Sequence, residues 1–234
     1  MTAHSFPGLG HRDDSPAVQE QRAAIAELGE ALRELVQRSS ATEAPPEEQR
    51  EIAALLREAA ARLAKYPRER AQMPSADNLL AGIRMYNPVT GPGSALAAPL
   101  HIEVIDGLVV GTCTLGLAFE GPPMYVHGGV SALLMDQILG YAVGVAGRPG
   151  LTVTLDTRYR APVPLQTPLR LTAQMTGEEG RSVTAAGIIA TAADPDTPLV
   201  EATARFVRPR PDQAVKLFGR ALHPDAMDPS AAHD

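Results

Sequence analysis

"MYVHGGVSALLMDQILGYAV", residues Met124–Val143, decides how the rest of the chain is read. It opens with His127 and the pair Gly128–Gly129, then turns apolar with Asp136 in its middle. Moving a carboxylate out of water costs several kcal/mol unless it is paired or hydrogen-bonded. A requirement for packing alone would place Leu or Ala there. The run has the length of a helix over Gly128–Ala146. Because it is apolar on all sides, it is expected to be buried all round. By length it could also pass as a membrane span. The central Asp, penalised by about 3 kcal/mol on insertion scales, and the β-type sequence that follows argue for no membrane span.

Working outward, the apolar period changes to two from Leu100. "HIEVIDGLVVGTCTLGLAF" (residues 101–119) reads as two strands joined at Asp106–Gly107, a strong hairpin signal. Four more segments after the helix alternate or are β-branched: "LTVTLDTRYR", "PLRLTAQMT", "RSVTAAGIIATA" and "LVEATARFVR". Pro162, Pro164, "GEEG" and "DPDTP" mark the turns between them. Two strands, a long helix and four strands predict an α+β domain over residues 100–208, with an antiparallel sheet wrapped around the helix. One sheet covers only part of such a helix. A second subunit or an N-terminal hairpin is expected to cover the rest.

The flanks are simpler. Residues 1–16 read as a disordered tail and 17–66 as a helical hairpin. Ile25, Leu28, Leu32, Leu35 and Val36 have helical spacing in the first arm, Ala17–Arg38. The second arm runs from Pro46 to Lys65, with Ile52, Leu55, Leu56, Ala59 and Leu63 on one face, and Pro67 stops it. Its expected role is packing or oligomer contact. Residues 67–99, rich in Pro and Gly, form a connector of a length that is either functional or disordered. Residues 209–234 form a polar tail with one short helix expected at Gln213–Phe218.

Composition bounds the function. A chain of 234 residues, 44% hydrophobic and without Trp, builds its core from Leu, Val, Ile and Ala. A net charge of −6 argues against a nucleic-acid partner, which needs a basic surface. The lone Cys113 permits no internal disulfide, and the N-terminus lacks a signal-peptide pattern; both point to the cytoplasm. The six histidines are scattered without metal-ligand spacing, so no metal site is expected.

"VHGGVSALLMDQILGYA" followed by "GLTVTLDTRYRAPV" resembles the hotdog-fold acyl-CoA thioesterases. The branch it is most similar to includes the phenylacetate-pathway thioesterases and the mammalian thioesterase-superfamily members. The positions that carry the resemblance are His127, Gly128, Gly129, Leu134, Asp136 and Thr152. Their steps, nine residues from His127 to Asp136 and sixteen from Asp136 to Thr152, agree with the family pattern. The resemblance implies a hotdog fold, hydrolysis of an acyl-CoA, and no cofactor beyond the coenzyme A of the substrate. It also departs from the family. Some relatives carry Asn or Gln in the loop before the His, whereas "FEGPPMY" offers no amide. Residues 17–99 lie outside the minimal family domain.

The chemistry assigns roles. Thioester hydrolysis needs a base or nucleophile for the carbonyl carbon and donors for the charge developing on its oxygen. The free N–H groups at Gly128 and Gly129, with the positive end of the helix dipole, suit that oxyanion, the Gly129 N–H above all. The alternative is a tight strand-to-helix turn. Asp136 is the candidate base or nucleophile; otherwise it is a carboxylate capping a neighbouring loop. His127 is expected to orient the Gly–Gly turn through a ring hydrogen bond. Thr152 is expected to position water or Asp136, or is simply a β-former. Neither Cys113 nor any Ser shows a nucleophile–base pattern. Gly129 and Asp136 stand about 10 Å apart along one helix, too far to serve one carbonyl. A homodimer with two composite sites is therefore expected, either alone or as a dimer of dimers (a homotetramer), and the family's arrangement agrees. Arg158 and Arg160 share a strand face and are candidates for the coenzyme A phosphates, or else a solvated face. The rival reading is a non-catalytic acyl-CoA-binding hotdog module.

Overall fold

The computed structural model describes residues 15–69, 72–78, 82–210, 212, 213 and 216. Of the expected tail helix at Gln213–Phe218 only Gln213 and Lys216 are among these residues, both helical, and all but the end of the expected N-terminal tail lies outside them. Ser15 and Pro16 belong to the first helix instead. Helix α1 (Pro16–Ser40) starts with Pro16 in its first turn, and the Ser15 hydroxyl accepts the Val18 N–H at 3.4 Å. Helix α2 is Pro46–Leu63. Strand β1 (His101–Ile105) and strand β2 (Leu108–Thr114) form a hairpin whose turn residues Asp106 and Gly107 both have positive φ, 51° and 83°. That is the backbone a two-residue primed turn demands. Helix α3 (Gly128–Val145) follows, then β3 (Leu151–Tyr159), β4 (Pro168–Glu179), β5 (Ser182–Thr191) and β6 (Val200–Val207).

The six strands form one antiparallel sheet in the order β1-β2-β4-β5-β6-β3. Helix α3 lies across its inner face, chiefly on β4 and β5. Leu134, Met135, Ile138, Leu139 and Val143 of α3 are buried against Val109, Leu171, Ile189, Ala204 and Phe206. Helix α3 is long and apolar enough to cross a membrane by length and composition. Here its buried side enters this core. The expectation of burial all round needs correction for the single chain, because Leu133 is 43% exposed and Gly129 is exposed too. With Asp136 and Gly140 they mark an open stripe at helical spacing.

The two N-terminal helices have different surroundings. Helix α1 packs against the connector, where Gly29 is buried and a Cβ would collide with the Pro92 carbonyl and Gly93. Arg33 donates to the carbonyls of Pro92 (2.6 Å) and Ser94 (3.0 Å). The described part of the connector is folded, with Ala76, Met85, Val89 and Ser94 buried. Helix α2 buries none of its residues, and Leu55 and Leu63 are 66% and 54% exposed. The two helices are present, but α2 does not supply the cover for α3.

Candidate active site

A tied loop delivers His127 to the start of α3. The His127 N–H donates to the Phe119 carbonyl and the Gly121 N–H to the Tyr125 carbonyl, both at 2.9 Å. Gly121 lies so close to the His127 backbone that a Cβ would clash with it. Glu120, in the loop that offers no amide, is spent locally: its carboxylate accepts the Met124 N–H at 2.9 Å, holding Met124 at φ 74°.

At the helix start His127 is the N-cap, and its Nδ1 accepts the Gly129 N–H at 3.0 Å. An accepting Nδ1 leaves the ring proton on Nε2, so the exposed ring keeps one outward donor. The Gly129 N–H is therefore already engaged within the chain, while the Gly128 N–H has no acceptor among the described residues. The Gly128 carbonyl accepts from the Tyr159 hydroxyl at 2.8 Å.

Two turns along the helix, Asp136 is half-buried and its Oδ1 accepts from the Thr152 hydroxyl at 2.9 Å. A β-bulge makes this contact. Leu155 sits opposite inward-facing Ala204, so strict alternation would turn Val153 inward and Thr152 outward. The register shifts between Thr152 and Thr154, and Thr152 comes to lie opposite Phe206, whose side chain is buried. A bulge that re-aims one side chain is a common device beside functional sites. The charge in the apolar helix thus has one charge-assisted bond and partial contact with water. That removes most of the penalty an isolated buried carboxylate would carry.

The next residue, Gln137, accepts at Oε1 from Asn87 Nδ2 (3.1 Å), while Asn87 Oδ1 takes the Val89 and Thr90 N–H groups at 2.8 and 3.0 Å. The connector is thus pinned to α3 beside Asp136. Sequence reasoning missed Asn87, Gln137 and Tyr159. Only Tyr159 carried a signal, since it shares the inward parity of Leu155 and Thr157.

Arg158 and Arg160 do share a face, but it is the outer one. Arg158 lies opposite Glu201, which alternates with the buried residues of β6. Arg160 grips the Glu201 carboxylate through Nε (3.0 Å) and a terminal nitrogen (2.7 Å). That hydrogen bond and the Glu201 charge push its pKa up further. Within one chain neither arginine joins Asp136, Thr152, His127 and the glycines. Cys113 is buried, and burial pushes its thiol up to about 11. No cluster of three or more metal-ligating side chains is present among the described residues.

Asp136 and Gly129 line neither of two open clefts of about 380 Å³. One lies among Glu34, Gln37 and Leu117, the other on the outer sheet face around Thr172 and Ile188.

Residues 124–194, from the loop before His127 to just past the end of β5, match the family model described as Thioesterase superfamily. A solved thioesterase superfamily protein is 36% identical and superimposes with a TM-score of 0.70, covering 78% of this chain and 94% of that one. This chain belongs to the thioesterase superfamily. Its sheet wrapped around α3 is the hotdog fold. The chain is also 31% identical over 98 residues to the acyl-coenzyme A thioesterase THEM4 of Mus musculus and 32% identical to that of Rattus norvegicus. The match spans 42% of each of these relatives.

Proposed function

We propose that the chain is an acyl-CoA thioesterase that works as a homodimer with two composite sites. The observation that carries this reading is the pairing of Asp136 with Thr152 on a helix whose N-terminus presents the Gly128 and Gly129 amides behind a His cap. Catalysis requires a reacting carbonyl about 3 Å from both an attacking atom and a donor. Seven residues of helix separate Gly129 from Asp136, about 10 Å of rise. Two antiparallel α3 helices meeting along their open stripes bring Asp136 of one copy to Gly129 of the other. Strand β3 supports the pairing. It is a sheet edge with Leu151, Val153 and Tyr159 44%, 51% and 53% exposed, and such edges invite another strand.

In the proposed reaction Asp136 either takes a proton from the attacking water or attacks the thioester carbon itself. The carbonyl oxygen takes up negative charge against the glycine amides, with the His127 Nε2–H in reach as a third donor. The carbon–sulfur bond then breaks; on the water route the departing thiolate takes the proton held by Asp136, and on the direct-attack route it leaves as the thiolate and is protonated by solvent. On the direct-attack route, water hydrolyses the resulting mixed anhydride. This reaction asks for no cofactor. A reduced Cys113 fits a cytoplasmic setting. Arg158 makes no ion pair among the described residues, whereas Arg160 is held by Glu201, so Arg158 is the better of the two arginines for the coenzyme A phosphates.

Thiol release from a panel of acyl-CoAs tests the proposal. Turnover by the native chain, lost in Asp136→Ala with fold and dimer retained, is the expected result. Binding of acyl-CoA without turnover would identify the non-catalytic module instead.

A further inference from the structure

We propose that Tyr159 is a positioning residue for the oxyanion-holding peptide; the inference rests on the thioesterase reading above. The Gly128 carbonyl and the Gly129 N–H belong to one planar peptide unit. The structure holds that unit at both ends, with the Tyr159 hydroxyl on the carbonyl at 2.8 Å and His127 Nδ1 on the N–H at 3.0 Å. The Tyr159 ring rests against Gly128 at ordinary contact distance. Glycine pairs are the most freely rotating units of a backbone, so a Gly–Gly peptide at a helix start needs an external hold to aim its donors.

The hold is also electronic. A hydrogen bond to a peptide carbonyl draws charge toward the oxygen and strengthens the N–H of the same unit as a donor, because chained hydrogen bonds polarise one another. When the thioester oxygen acquires charge, the Gly129 N–H can pass from His127 to that oxygen without the peptide rotating. Tyr159 then keeps the plane fixed through the exchange. Strand β3 therefore positions both halves of the chemistry: Thr152 near one end sets Asp136, and Tyr159 at the other sets the glycine amides. A purely structural tie between strand and helix would support stability and leave the bound carbonyl untouched.

Tyr159→Phe keeps the ring and removes only the hydroxyl. The expected result is a fall in kcat of roughly tenfold, below the loss from deleting an oxyanion donor outright, with KM moving less than about twofold. A second measurement reads the donor directly. In an Asp136→Asn background, a ¹³C-labelled acyl-CoA thioester bound to the protein gives an infrared carbonyl band. The band should lie closer to its solution frequency when Tyr159→Phe is added. Unchanged kcat, or a fall in kcat with an unmoved band, overturns the proposal. If the native chain binds but does not turn over acyl-CoA, the thioesterase reading fails and the band alone decides on Tyr159. Failure to bind acyl-CoA overturns both.

Discussion

Replacing Thr152 by Val tests the Asp136 site without disturbing the sheet. Val keeps the β-branched shape that suits a strand and removes the hydroxyl that donates to Asp136 at 2.9 Å. Hydrogen bonds to ionised groups contribute about 1.5–3 kcal/mol. Thr152 is exposed and water can replace part of the bond, so the lower end applies. At about 1.4 kcal/mol per factor of ten in rate, kcat should fall about tenfold. KM should change little, because the bond aims Asp136 and does not touch the acyl-CoA. Steady-state thiol release at saturating substrate measures the loss. Thr152→Ser, which restores the hydroxyl, should recover most of it. A Val variant with native kcat, or a Ser variant as slow as Val, would refute the argument that this bond positions the carboxylate.

Two further outcomes follow from a buried thiol and a half-buried amide. Cys113 titrates near 11 in the fold against about 9 when unfolded, so from pH 9 upward the unfolded chain loses its proton first and stability falls. Urea midpoints should drop between pH 9 and 11, by the equivalent of up to about 2.7 kcal/mol from this group, whose contribution is constant below pH 9. In Cys113→Ala the drop from this group disappears while activity remains; loss of turnover in that variant would make Cys113 a participant. Asn87→Ala strips the partners from the Val89 and Thr90 N–H groups and from Gln137, each lost bond costing about 1 kcal/mol or more. Its thermal midpoint should fall by several degrees; an unchanged midpoint would show that the connector is held by other contacts.

The hairpin at Asp106–Gly107, the span of α3 and the succession of elements along the chain were legible because turn chemistry and apolar period are local signals. Asp136 was legible as an anomaly, a charge where packing calls for Leu. The bulge at Val153 was not, since nothing in "LTVTLDTRYR" breaks the alternation that would send Thr152 outward. The family spacing, not the strand pattern, picked that residue. Tyr159 and Asn87 act through partners 31 and 50 residues away, distances at which a single sequence carries no pairing signal. What meets the apolar face of α2 was not legible, because amphipathic spacing tells that a helix has an apolar side and not what lies against it.

The claim on which the account turns is that each site draws on two chains, and mixing two disabled variants tests it. Asp136→Ala lacks the attacking oxygen, and Gly129→Pro lacks the amide hydrogen; each alone should be nearly inactive. In a two-fold dimer, a mixed pair rebuilds one complete site from the intact Asp136 of one chain and the intact Gly129 of the other. Random exchange of equal amounts should therefore restore about a quarter of native thiol release. A mixture that exchanges subunits and stays as inactive as its parents would place both groups of each site on the same chain.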